Sequence, residues 1–144
     1  MALEGGRGSR DSLVAAYLEA LGALDTAALA GMAVSRAEFG YLYYPTTPQG
    51  LPPYDLDPEL MWSLLFQRSN QGVRRALELY GGKDLALLGY DCGPGESVEG
   101  ENTVWGPCEV RFRRAAGDTV SRTLISQIIG RAGRYKFLSY GNKL

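Results

Sequence analysis

No histidine occurs among the 144 residues, so acid–base chemistry would fall to Asp, Glu, Tyr or Arg. The groups that could take such roles, or line a ligand cavity, are Tyr17, Tyr41, Tyr43, Tyr44, Tyr54, Trp62 and Arg122. Aromatic rings with polar tips suit a ligand cavity, although these residue types serve core and lid packing more often. Arg122 enters through register. If the hairpin after Phe112 closes with a three-residue loop, Phe112 pairs with Val120 and Arg122 falls on the apolar side beside Val110. A charge there needs a mate, and Asp55 is the expected carboxylate; a register off by one would leave Arg122 in water. Arg111, Arg113 and Arg114 read as a solvated strand face. Glu96, Glu99 and Glu101 lack the Asp/Asn and Gly pattern of a calcium loop and read as a soluble acidic loop. No metal site and no cofactor are expected.

Cys92 and Cys108 fit no zinc spacing, and no third ligand accompanies them. Set opposite each other on antiparallel strands, they bring Tyr90 against Val110 and Leu88 against Phe112, so a whole apolar face falls into register. A disulfide there would contribute about 3 kcal/mol in an oxidising compartment. The alternative is a pair of reduced core cysteines. The first case implies an extracytoplasmic protein, the second a cytoplasmic one.

Positioning these groups requires a sheet. In Cys108-Glu109-Val110-Arg111-Phe112-Arg113 apolar and charged residues alternate strictly, as in a strand with one face in a core. Ala115-Ala116-Gly117-Asp118 reads as a turn, Thr119 to Ile129 as a long strand, Arg131 to Arg134 as a second turn, and Tyr135 to Tyr140 as the returning strand. Leu85 to Cys92 is the first strand, and Gly93 to Asn102 a flexible loop.

A one-faced sheet must be covered, and the first half of the chain supplies helices. Asp11-Ser12 precedes Leu13, Tyr17, Leu21 and Leu24 on one helical face. Asp25-Thr26 caps an Ala-rich segment reaching roughly Val34. Ser35 caps a short helix running into Phe39-Gly40-Tyr41-Leu42-Tyr43-Tyr44, which reads equally as a short strand. Residues 45 to 58 hold five of the seven prolines and form a long ordered loop or lid. Asp57-Pro58-Glu59 then starts a helix to about Tyr80, with Trp62 and Phe66 buried against the sheet and a polar middle at Gln67 to Gly72 where it bends.

A net charge of −1 argues against a general nucleic-acid binder, and no stretch is long enough to span a bilayer. Residues 1–10 read as a disordered tail and 11–144 as a single α+β domain.

Amphipathic helices, a long helix and then a curved four-stranded antiparallel sheet over residues 11 to 140 resemble the nuclear transport factor 2-like superfamily of cone-shaped domains. A simpler cystatin-like helix on a four-stranded sheet is the nearest alternative. The resemblance implies an apolar pocket between helices and sheet, serving catalysis in some members and binding or association in others. The expected function is binding of a small apolar or aromatic ligand, or of a protein, with Tyr17, Tyr41, Tyr44, Tyr54, Trp62 and Arg122 at the site. A homodimer is the expected assembly. The alternative is a hydrolase, cyclase or isomerase using an Arg, carboxylate and Tyr pocket.

Overall fold

The computed structural model describes residues 2–142; Met1 of the expected tail and residues 143–144 of the expected domain lie outside that range. The alternating stretch forms β4 (Cys108–Arg114), burying Cys108, Val110 and Phe112 and leaving Glu109, Arg111 and Arg113 outside. It hairpins into β5 (Thr119–Arg131), which turns into β6 (Arg134–Tyr140). β1 (Leu85–Asp91) pairs with the other edge of β4. Two short strands follow: β2 (Ser97–Glu99) lies within the Gly93 to Asn102 stretch expected to be a flexible acidic loop, and β3 (Asn102–Trp105) begins at its last residue. β3 pairs with the later half of β5 and β4 with its earlier half, while β2 lies outside β3 as β1 lies outside β4. The order is that of a four-stranded meander whose first two rows are each broken in two.

The second row breaks at Gly106-Pro107. Proline has no amide to give the ladder. Gly106 has φ 144°, and a Cβ there would lie 2.1 Å from the Ser126 carbonyl oxygen, so only glycine fits. Register shifts between Leu87 and Gly89, between Cys108 and Val110, and between Ile125 and Ile128 mark further irregularities. Extra residues of this kind bend and twist a sheet. The result is a strongly curved antiparallel half-barrel with helices packed on it, a cone-like α+β fold.

The first shift corrects the expected pairing. Tyr90 does oppose Val110, but Phe112 meets Leu87, and Leu88 is the extra, exposed residue. Asp91 opposes Glu109, which sets Cys92 against Cys108 with their Cα atoms 3.9 Å apart and their sulfurs at disulfide distance.

α1 (Arg10–Gly22) starts two residues earlier than a cap at Asp11 suggests, because the cap is Ser9, which accepts the Ser12 amide. α2 (Thr26–Gly31) is capped by Asp25. α3 (Arg36–Glu38) carries a capping box in which Ser35 and Glu38 each accept the other's amide. The aromatic run is helical: a π turn at Phe39–Tyr43, then 3-10 turns at Tyr44–Thr46 and Pro48–Gly50. α4 (Pro58–Tyr80) follows, capped by Asp57.

Two apolar clusters hold these layers. One gathers α1 with Ala76 and Tyr80 of α4 against Val110, Phe112, Ile128 and Phe137. The other sets Leu3, Val34, Phe39 and Tyr44, with Met61, Trp62 and Leu65 of α4, against Val104, Ile129 and Leu138. Neighbouring residues of β5 and β6 thus point into different clusters, and this part of the sheet is buried on both faces. That is why Phe137 to Tyr140 shows no alternation.

α4 serves both clusters, and its polar middle is the stretch that meets the end of β6. Ser69 Oγ accepts the Tyr140 amide at 3.0 Å, and a Cβ on Gly72 would lie 2.0 Å from the Gly141 carbonyl oxygen. Phe66, expected to be buried, is 51% exposed.

The described part of the expected tail is docked rather than disordered. Leu3 is buried in the second cluster, and Arg7 exchanges backbone hydrogen bonds of 3.0 and 2.9 Å with Tyr135. Burial of Leu3, the Arg7 pairing and the Glu4 backbone bonds to Glu38 and Lys136 together anchor it.

Candidate functional site

Residues 32–34 follow α2 and lie alongside the outer edge of β6. The Val34 amide donates to the Phe137 carbonyl at 2.9 Å, and the Phe137 amide donates to the Met32 carbonyl at 2.8 Å. This short parallel addition fixes α2 beside the edge of β6, while the contacts of Ser69 and Gly72 fix α4 at the end of that strand. Between the two helices lies a groove of about 480 Å³. Leu138 and Tyr140 form its floor and Leu29, Ala30 and Ala33 its α2 wall. The α4 wall presents Trp62, Leu65, Phe66, Val73 and Leu77, with Ser69, Asn70 and Arg74 as polar groups. Tyr140 ties floor to wall, its hydroxyl donating to the Leu29 carbonyl at 2.6 Å. Burial and the neighbouring Tyr17 push that phenol far above its usual pKa, so it stays a donor.

Of the six residues expected at the site, only Trp62 lines this groove. Its ring is half-buried, tilted against Phe39 and Phe66 at centroid distances of 5.5 Å each. Tyr17 is wholly buried in the first cluster, where its ring meets Phe137 at 5.4 Å and Tyr140 at 5.2 Å. Its hydroxyl has no hydrogen-bond partner among the described residues, and burial raises its pKa strongly. Tyr44 is buried as a strut for the proline-rich loop, its hydroxyl 3.1 Å from the Gln49 carbonyl oxygen and 2.5 Å from that of Leu56. Tyr41 and Tyr54 are 74% and 63% exposed.

Arg122 does face Val110 across the ladder, as its register required. It is nevertheless exposed, and its guanidinium donates to the Ser121 carbonyl at 2.8 Å. No carboxylate pairs with it among the described residues, Asp55 included. An unpaired cation is too costly to bury, and the long stem lets the head reach water. It is therefore a solvated group and not a buried charge paired with a carboxylate.

Three polar arrangements escaped sequence reasoning. Glu38 and Lys136 form a buried ion pair at 2.8 Å. Glu38 also accepts the amides of Ser35 and Glu4, each at 2.8 Å, and Lys136 donates to the Glu4 carbonyl at 3.0 Å. Burial opposes the Glu38 charge, but the Lys136 hydrogen bond, the Ser35 amide, the ammonium charge and the Glu4 amide outweigh it and hold the carboxyl below its usual pKa. Asn102, fully buried, donates to the Leu42 carbonyl at 2.8 Å and accepts from Arg131 at 3.0 Å, fastening the aromatic turns to β3. The third is Glu99 beside Tyr43. Burial raises the Glu99 carboxyl, one oxygen of which is buried without a partner among the described residues, and burial with the Glu99 charge pushes Tyr43 up to about 12. The Ser35-x-x-Glu38 spacing was the one available signal for the first of these.

Among the described residues no group of three or more His, Cys, Asp or Glu side chains converges as a metal site. No helix among them is long and apolar enough to cross a membrane. No protein-family model, curated protein or solved structure matches this chain.

Proposed function

We propose that this chain is a binding domain whose ligand is a small apolar or aromatic molecule seated in the groove between α2 and α4. The observation that carries this reading is the composition of that groove: a concave surface of about 480 Å³ with apolar walls and floor and a few polar groups along α4. Such an arrangement gains affinity from apolar burial and direction from its few donors. The cone-like fold is in keeping with the nuclear transport factor 2-like resemblance, which supports binding by analogy. The Cys92 and Cys108 sulfurs at disulfide distance favour an extracytoplasmic setting for that role.

The test is a thermal-shift screen with small aromatic and lipid-like molecules, repeated on Trp62→Ala and Phe66→Ala. A ligand of the groove stabilises the native protein and loses much of that effect in both variants. Equal shifts in all three proteins would place the site elsewhere.

A second reading, association with a protein or another copy of the chain, rests on a different observation. Leu60 and Leu64, one turn apart on α4, are exposed, as are Leu51, Tyr54 and Leu56 of the preceding loop. Exposed apolar residues gathered in one region are the usual mark of an interface. A sedimentation-equilibrium mass that doubles in the native protein but not in Leu60→Lys would support it, and a monomer throughout would remove it.

A further inference from the structure

We infer that the groove takes a free long-chain carboxylate, with its head at Arg74 and its apolar body running along α4 toward Trp62. This rests on the proposed function and narrows its ligand class. Arg74 lines the groove, and no carboxylate lies within 4.0 Å of it among the described residues. The next residue, Arg75, pairs with Glu78 on the same helix, which leaves Arg74 as the cation facing the groove wall. Asn70 stands one turn earlier on the same helical face, and Thr26 faces the groove from α2. The guanidinium, with the Asn70 amide one turn away, suits a planar anion, which it can grip through two parallel hydrogen bonds, and the Thr26 hydroxyl is a further donor in the same groove.

The length of the groove sets the body. Trp62 and Arg74 are both on α4, and the helical rise separates them by about 18 Å. The α4 lining between them is Leu65, Phe66, Ser69, Asn70 and Val73, apolar but for the Ser69 hydroxyl, which already accepts the Tyr140 amide, and the Asn70 amide one turn from the head. An unbranched acyl chain follows such a track over its whole length, whereas a compact ring system would cover one end and leave the cation unused. A cationic head would meet Arg74 with like charge.

The test compares three chains of equal length in the native protein, each below its micelle concentration: dodecanoate, dodecanol and dodecyltrimethylammonium. Binding is read by thermal shift and by fluorescence in a Trp105→Phe background, where Trp62 is the remaining tryptophan. Dodecanoate should bind tightest, and Arg74→Gln, an exposed substitution, should weaken it about five-fold while leaving dodecanol unchanged. Equal affinities for acid and alcohol, both insensitive to Arg74→Gln but lowered by Phe66→Ala, would overturn the carboxylate and leave the apolar groove standing. Binding by none of the three, with no change in Trp62 emission, would overturn both. Co-sedimentation with anionic phospholipid vesicles in the absence of free-acid binding would assign Arg74 to a membrane surface and overturn the inference.

Discussion

Lys136 Nζ donates to Glu38 Oε1 at 2.8 Å across a sequence separation of 98 residues, with both side chains 6% exposed. The pair joins the central part of β6 to α3, and through the backbone of Glu4 it holds the amino-terminal segment as well. Removing one partner leaves the other charged, buried and alone. Lys136→Met is expected to lower stability by about 3 to 5 kcal/mol, while Lys136→Met with Glu38→Leu should recover much of the loss. Equilibrium urea unfolding of the three proteins measures this.

The same pair predicts an acid response. Folding lowers the Glu38 pKa from its ordinary 4.5, so the folded state holds the charged form more tightly than the unfolded chain does. Its contribution is complete above the unfolded value and is lost as pH falls through the folded one. Urea midpoints should therefore drop below about pH 4.5 in the native protein, and more shallowly in the Lys136→Met, Glu38→Leu double variant.

Tyr17 and Tyr140 touch each other, yet their hydroxyls should respond oppositely to removal. Tyr17→Phe deletes a buried hydroxyl that has no partner and should be neutral or mildly stabilising. Tyr140→Phe strands the Leu29 carbonyl and should cost about 1 to 2 kcal/mol. Paired unfolding curves distinguish the two.

Gly72→Ala sets two effects against each other. Alanine favours a helix interior over glycine by about 1 kcal/mol. The added methyl, however, would stand 2.0 Å from the Gly141 carbonyl oxygen, backbone that can move only by unseating the end of β6. Overpacking should win, for a net loss of about 2 kcal/mol by thermal or urea unfolding.

Closure of the loop between Cys92 and Cys108, 16 positions apart, should contribute about 3 kcal/mol. Cys92→Ser with Cys108→Ser should lower the urea midpoint accordingly, and dithiothreitol should do the same to the native protein while leaving the variant unchanged.

The meander was legible because β4 alternates without exception and because α4 carries its cap, first-turn proline and length in plain view. β2 and β3 were not, since three or four residues of ordinary composition become strands only by pairing with one another and with the far end of β5. Leu88 shows how little separates a correct register from a wrong one: a single extra residue moved Phe112 from it to Leu87. The groove was the least legible part. It arises where Met32, Ala33 and Val34, which carry no strand-like alternation, settle against β6, and only the folded chain brings them there. Trp62, the one expected residue in the groove lining, was legible as part of an aromatic stripe on a long helix. Arg122 was misplaced because pairing alone does not say which way a long side chain will leave a sheet.

The outer margin of β6 is closed by two short pieces of the same chain, Arg7 running antiparallel and residues 32–34 running parallel. At the opposite margin the extra residue Leu88 interrupts β1. A strand arriving from another molecule therefore finds neither a long nor a flat ladder to extend, which guards this β-rich protein against templated polymerisation. Self-association would have to proceed face to face, through side chains rather than through the backbone.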